Sequence, residues 1–536
     1  MSDDTRSHGR SMLVVSGGVL LSRVLGLARD VLFAFVWGTG VAMDAFAFAF
    51  MVPNLFRALF GEGAFTGAFV PVFSEKLERD GKAAAWQAAC RVVSVLAVVL
   101  GAATLLVMLG CLAAYPLVTQ DYPRRILLLT ALFMPYAPLI CLAVALAGVL
   151  NTFHRFSVTS LTPLLLNLLL MAGSAAAWWW FPHGGADRGV WLLVPAVLVA
   201  GLLHVGCHLW AARRGEGLAF RFLPDFRAPE VRRMAVLMVP MLLGTGMIQF
   251  SAFLDRFWAA LLGGGAVSAL YYSQRIVYLP VGLFGVASSV VALPAMSRAW
   301  ARGDHDGLLE QLSHALRKVL FLCLPMTVLM IVLADPLVRL FFQRGSFTDA
   351  SVDATLLALV FYLPGIPFFS LVKPLATGFY ARQDTRTPVR VAWACLGLNL
   401  VLNLSLMWSL RQGGLALSTT IASLANLVTL LVLFRRQTGL DVWGKIRPAV
   451  LRMALAAAVA AAAAWLARRW LSCDWAAAGL QHRLAVVAVP LAVGYAVYAA
   501  AALALRCDEC RELAGDLAGK LLRRWPRLSN PPPDQP

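Results

Sequence analysis

Charge is scarce in this chain. Asp, Glu, Lys and Arg make up 14% of its 536 residues and hydrophobic types 60%, with a mean hydropathy of +0.74, whereas soluble globular chains carry about 25% charged residues. So little charge cannot clothe a water-facing surface, which excludes a soluble globular protein and leaves a polytopic membrane protein. Acidic residues are the scarcer kind, 28 against 46 basic. No acidic cluster spaced for a metal, and no nucleophile beside a base, marks an enzyme at the membrane interface. Of the eight histidines, only His204 and His208 stand four apart, in an apolar stretch. Nine cysteines are scattered, mostly singly in apolar segments where they pack as small hydrophobes. Cys507 and Cys510 have C-x-x-C spacing but form a lone pair near the end of the chain. The first apolar run is too long for a signal-peptide core and lacks a cleavage site, so it is read as retained. Residues 529–536 (SNPPPDQP) have a disordered composition.

What the chain does have is apolar sequence in runs. At about 20 residues per crossing, candidate spans start near Ser11, Val41, Ala84, Ile126, Val158, Val190, Met234, Ala266, Leu316, Thr355, Val389, Leu415, Ala449 and Leu484. That predicts an all-α integral membrane fold of about fourteen helices, the second and eighth broken by Pro53 and Pro280. The formal charge of +18 collects in alternate loops, at Lys76, Arg79, Lys82, Arg155, Arg213, Arg214, Arg232, Arg233, Arg298, Arg382, Arg435 and Lys445. Basic loops mark the cytoplasmic side, so both termini are placed in the cytoplasm, and nucleic-acid binding is not needed to explain the charge.

Laid on itself with a shift near 225, the chain shows a repeat. Asp30 falls on Asp255 and Gly40 on Gly265, each followed by a proline-interrupted helix. Pro71 and Ser74 meet Pro294 and Ser297; Phe153, Arg155 and Pro163 resemble Phe379, Arg382 and Pro388. One order at one offset predicts two pseudo-symmetric six-helix lobes, residues 1–225 and 226–440, related by an axis along the membrane normal. Residues 441–508 form an Ala-rich pair of helices outside the repeat, and 509–536 a cytoplasmic tail.

The stretch 22–30 (SRVLGLARD) places Arg23, Arg29 and Asp30 inside the first apolar run. An ionised side chain at mid-bilayer depth costs roughly 2.5 to 17 kcal/mol on different scales, so three together predict a wet cavity. Arg23 and Asp30, seven apart, share a helix face, with Arg29 about 120° from Arg23. Snorkelling of Arg29 and Asp30 at the interface, with a structural pair for Arg23, is the competing reading. The second helix brings Asp44, Arg57 and Glu62, the last between Gly61 and Gly63 where a hinge or re-entrant turn fits. Arg57 also reads as an interface anchor. The eighth brings Arg275 after Tyr271, Tyr272, Ser273 and Gln274. With some of the carboxylates Asp30, Asp44, Glu62 and Asp255 pairing internally, guanidinium groups left over suit an anion, and arginine's fork matches phosphate oxygens.

The segments 22–30, 39–46, 53–57 (PNLFR), 62–65 (EGAF), 68–71 (AFVP), 150–155 and 378–388 (GFYARQDTRTP) resemble those of the MurJ (MviN) lipid II flippases, in order along nearly the whole chain. The resemblance implies a MOP-superfamily fold whose two lobes enclose a cationic cavity and move lipid II from the inner to the outer leaflet. It implies importance for Arg23, Arg29, Arg275 and Asp44, and a groove for the polyprenyl tail in the last two helices. Two departures stand out. Some relatives have Asp-Arg where this chain has Gln274-Arg275 and an acid at Tyr278, and some are basic at Met51.

The expectation is therefore a transporter of the bacterial cytoplasmic membrane, not an enzyme. Arg23, Arg29, Arg275 and Arg57 bind the pyrophosphate head group; Asp30, Asp44 and Glu62 act as gating ion-pair partners; the lobes rock. Asp255 and Asp384 are candidates for a coupling monovalent cation, with no other cofactor. Partners are lipid II, membrane lipids and other cell-wall synthesis proteins. The rivals are an exporter of drugs, a flippase for another polyprenyl-linked glycan, and a membrane enzyme acting on polyprenyl phosphates.

Overall fold

The computed structural model describes the chain except residues 1, 154, 182–184, 472–474, 476–477, 513–514 and 516–536. It describes the backbone alone at 2–16, 19, 61–66, 156, 186, 215, 240, 242–245, 247–248, 279 and 283–291. Among the described residues the regular elements are all helical. In order they are α1 (Ser2–Trp37), α2 (Val41–Phe56), α3 (Phe65–Ala114), α4 (Asp121–Phe133), α5 (Tyr136–Thr152), α6 (Phe156–Trp180), α7 (Ala186–Gly189), α8 (Leu193–Glu216) and α9 (Pro229–Leu262). Then follow α10 (Ala266–Ala301), α11 (His305–Val332), α12 (Ala334–Phe342), α13 (Asp349–Tyr362), α14 (Ile366–Ala381), α15 (Arg386–Leu410), α16 (Gln412–Thr438), α17 (Val442–Trp470) and α18 (Leu480–Ala504). Eleven helical stretches among the described residues are long and apolar enough to cross a membrane. The expected spans near Ser11, Met234 and Ala266 fall in α1, α9 and α10, each of which includes residues described by their backbone alone.

Local chemistry sets the breaks. Pro53 brings no N–H to the ladder, and just beyond it the Asn54 amide donates to the Phe50 carbonyl at 3.0 Å. The helix then widens into a π-helical segment, Arg57–Ala64, the bulge that such disruptions produce. α3 bends at Gly81, whose φ of 79° suits glycine. Asp304 and Asp441 start α11 and α17 by accepting the Gly307 and Gly444 N–H groups at 2.7 and 3.0 Å.

The chain divides into two compact units. One comprises Met1–Arg275, Phe341–Leu359 and Leu396–Ser418; the other comprises Ile276–Leu340, Val360–Cys395 and Thr419–Pro536. The core of the first is aromatic: Phe33, Phe46, Phe133 and Tyr136 are each at most 1% exposed, and Phe46 meets Phe33 and Phe133 edge-on at 5.2 and 5.7 Å. In the second, the small residues Ala456, Ala457, Ala460 and Ala464 of α17 are buried, which lets α18 come close.

Each unit has a tie of its own at a helix end. In the first, Arg155, just past α5, donates to Glu216 at the end of α8 at 3.1 Å, and Lys82 reaches the same carboxylate at 2.6 Å. In the second, Arg382, just past α14, donates to Gln437 near the end of α16 at 3.3 Å. The Lys82 hydrogen bond, ahead of Arg155 and against partial burial, holds the Glu216 carboxyl below the usual carboxylate range. A depressed pKa stabilises the fold above the unfolded value, about 4.3, and that contribution is lost as pH falls through the folded one. Glu216→Gln should therefore lower the thermal midpoint at neutral pH by the equivalent of roughly 1 kcal/mol, the scale of screened exposed pairs. The gap to wild type should close in acid; an undiminished gap below about pH 3 contradicts the assignment.

Candidate functional site

Helix α1 carries Asp30 into the first unit with the carboxylate 2% exposed, and four donors meet it. Arg29 gives Nε at 3.0 Å and Nη2 at 2.7 Å to Oδ1, where the Tyr271 hydroxyl also donates at 2.5 Å. Arg275 gives Nε to Oδ2 at 2.8 Å. Tyr271 in turn accepts from Arg29 Nη2 at 3.3 Å and from Arg275 Nη2 at 3.1 Å, and its ring lies 4.8 Å beneath the Arg275 guanidinium. A carboxylate so placed is satisfied by charge-assisted bonds from both sides.

The two arginines differ in what they have left to offer. Arg29 is 10% exposed at its side chain, spends Nη1 on the Asn167 amide oxygen of α6 at 2.9 Å, and lies over Phe33. Arg275 is 46% exposed, with Nη1 turned to none of these partners. Arg23 is exposed on the face of α1 that carries Asp30, about 10.5 Å away by the helical rise. Among the described residues its side chain has no ionic or hydrogen-bonded partner.

The other expected site residues lie elsewhere. Asp44 is fully buried and, instead of an arginine, receives the start of α10: Gly265 N–H at 3.0 Å, and Ser268 N–H at 2.7 Å and hydroxyl at 2.5 Å. A carboxylate on one helix thus caps the positive N-terminus of another. The same end of this unit is closed by backbone. Ser346 N–H donates to the Phe35 carbonyl at 2.8 Å, Thr39 bonds Ser351 at 2.8 Å, and a Cβ on Gly38 (φ 56°) or Gly345 (φ 56°) would run into a carbonyl oxygen of the facing segment. Arg57 is half-buried, with Nε on Asn54 at 3.2 Å, some 24 Å along α2 from Val41. The Glu62 side chain lies outside the described residues.

Asp255 is 3% exposed and accepts the Asn403 amide at 2.8 Å; that amide also meets Asn399 Oδ1 at 3.1 Å, and Asn403 Oδ1 is buried with no partner. Asp384, in the second unit, accepts the N–H groups of Arg386 and Thr387 at 3.1 and 3.0 Å and so caps α15. Against the pull of burial, a hydrogen bond from the Thr387 side chain together with those two N–H groups holds its carboxyl below the usual range. His204 and His208 spend one ring nitrogen each on the carbonyls of Thr162 and His204, both at 2.6 Å.

The sequence therefore predicts the charged members of the cluster and misses Tyr271, Asn167 and Ser268. Tyr271 stands four residues before Arg275 on α10, a spacing that puts both on one helix face and was a usable signal. Nothing in sequence pairs Asn167 with Arg29 or Ser268 with Asp44.

A family model described as "Lipid II flippase MurJ" matches residues 33–485. The chain is 33% identical over 512 residues to a "Probable lipid II flippase MurJ" of Vibrio cholerae, covering 92% of this chain and 96% of that one. It is 34% identical over 466 residues to another of Rhizobium meliloti, covering 84% and 85%. In fold it is similar to a solved "Lipid II flippase MurJ, inward closed conformation", with TM-score 0.72, 22% identity, and coverage of 94% and 100%. An inward-facing MATE family transporter of the MOP superfamily aligns with TM-score 0.61 at 13% identity, over 82% of this chain and 98% of that one. The fold and these relatives together leave one assignment: the chain belongs to the lipid II flippase MurJ family.

Proposed function

We propose that this chain is a transporter, with no chemical turnover of its cargo, that carries lipid II from the inner to the outer leaflet of the bacterial cytoplasmic membrane, with both termini cytoplasmic. The observation that carries the reading is the Arg275 guanidinium, 46% exposed and held along one edge by Asp30 and Tyr271. Its other edge is presented to an anion, and the paired N–H groups of a guanidinium match phosphate oxygens. Arg23 offers a second charge along the same face. Arg29 and Asp30 act as positioning residues.

A diphosphate and Asp30 compete for Arg275. When the diphosphate wins, Asp30 keeps Arg29 and Tyr271, so no buried carboxylate is stranded at a cost of several kcal/mol. With the N-terminus cytoplasmic, the Asp44–Ser268 end of α1, α2 and α10 faces outward, and breaking those bonds opens the outer side. Solved MATE family transporters of similar fold are found in an inward-facing and in an outward-facing conformation, which supports alternation. Asp255 with the oxygens of Asn399 and Asn403 makes a site suited to a monovalent coupling cation; Asp384, committed to the start of α15, does not.

Depletion of the protein, followed by labelling of outer-leaflet lipid II in intact cells, tests the cargo. Lipid II should vanish from the outer face, and continued arrival, or accumulation of a different polyprenyl-linked glycan, overturns the assignment. Arg275→Ala should weaken lipid II binding by roughly 10- to 100-fold, the loss of a charge-assisted bond, with the protein still inserted. For the cation, sodium in place of a bulky organic cation should raise the thermal midpoint of wild type but not of Asp255→Asn; equal shifts reject the site.

A further inference from the structure

The connection from α8 to α9, residues 217–228, is drawn tight against α3 of the same unit. Trp86 donates its indole N–H to the Ala219 carbonyl at 2.9 Å, and the Ser94 hydroxyl accepts the Leu223 N–H at 2.9 Å. The extended chain from Ala219 to Leu223 advances about 13 Å and the helix from Trp86 to Ser94 about 12 Å, so this strap runs alongside α3. It runs away from the Gly81 bend. Leu223 lies level with Ser94, about 20 Å along the helix from Gly81 and about one turn short of Val98 and Val99, which are exposed on an apolar span.

A turn then brings the chain back. Asp225 donates its N–H to the Leu223 carbonyl at 2.9 Å across Pro224, and its side chain accepts the Arg227 N–H at 3.0 Å. Glu230, in the first turn of α9, pairs at 2.9 Å with Arg91, which is nearer the bend than Ser94. Residues 222–226 are thus the far point of a dip along α3. The rings there face outward, Phe222 59% and Phe226 55% exposed, with the exposed Arg221 and Arg227 beside them. From 213 to 233 the chain carries six arginines against three acids, and two of those acids, Glu216 and Glu230, are taken by Lys82 and Arg91.

Aromatic rings settle at the boundary between headgroups and acyl chains, and basic residues beside them attract anionic headgroups. The apolar surface next to the dip continues along Val98 and Val99 of α3 and along Val236 and Val239 of α9, all exposed. Continuity with that surface and the excess of arginine both favour lipid as what covers the two rings. We propose that residues 219–228 are a membrane-interface anchor, in which Phe222 and Phe226 enter the acyl boundary of the bilayer and Arg221 and Arg227 hold the phosphates of anionic phospholipid. The anchor is independent of the cargo.

The test puts the photo-crosslinking residue p-benzoylphenylalanine in place of Phe222 or Phe226 in the full-length protein, in lipid nanodiscs and in intact cells, and reads the adducts by mass spectrometry. The same residue in place of Val99 is the lipid-facing control, and in place of Arg79, whose side chain is 75% exposed, the aqueous one. Phospholipid adducts should form at 222 and 226 as at 99, and not at 79. In nanodiscs of equimolar phosphatidylglycerol and phosphatidylcholine, adducts at 226 should favour the anionic lipid by about fivefold, the scale of one arginine near a charged surface. Arg221→Gln with Arg227→Gln should remove that preference while lipid is still captured. Absence of lipid adducts at both 222 and 226 overturns the proposal. So does capture of a protein there in cells in place of lipid, which would make the strap a docking surface for another chain. An anionic preference that survives the double substitution overturns the part assigned to the arginines.

Discussion

Burying an ionised carboxylate costs several kcal/mol unless donors replace the water it gives up, and at Asp30 that requirement organises its surroundings. The carboxylate is 2% exposed, and three side chains from α1 and α10 converge to supply its donors. Because Arg29 and Tyr271 already satisfy Oδ1, Arg275 is bound through Oδ2 alone. It is the more exposed of the two arginines that meet this carboxylate. The buried arginine and the exposed one are thus the same residue type in different employment, decided by which of them also finds Asn167 and Phe33.

Much of the architecture was legible because the bilayer imposes a length and a composition on every crossing. Apolar runs near Val41, Ala84 and Leu316 become helices where expected. Charge stands out in α1 and α9, where Arg23, Arg29, Asp30, Asp255 and Arg256 interrupt the apolar pattern. Two of them, Asp30 and Asp255, are buried and hydrogen-bonded. On α1 the seven-residue spacing of Arg23 and Asp30 sets them on one face.

What sequence did not give is the choice among partners. Arg29 and Asp30 are neighbours about 100° apart on a helix, and periodicity alone separates them, yet a long flexible side chain folds back onto the adjacent carboxylate. Asp44 invites an arginine by charge. The structure instead offers it the unsatisfied N–H groups of a helix start, which pull on a carboxylate through partial charges that no residue name displays.

The seat of Asp44 on α10 has a consequence for how this end of the unit lets go. One carboxylate accepts Gly265, the Ser268 N–H and the Ser268 hydroxyl at once, and one rotation of that side chain releases all three. A half-separated end would hold the carboxylate and the freed N–H groups away from both water and one another, the costliest arrangement available. Intermediate openings would thereby be disfavoured. On the alternation proposed above, this end would act as a two-position element, and a small differential affinity of a ligand for one position would be converted into a large change in occupancy.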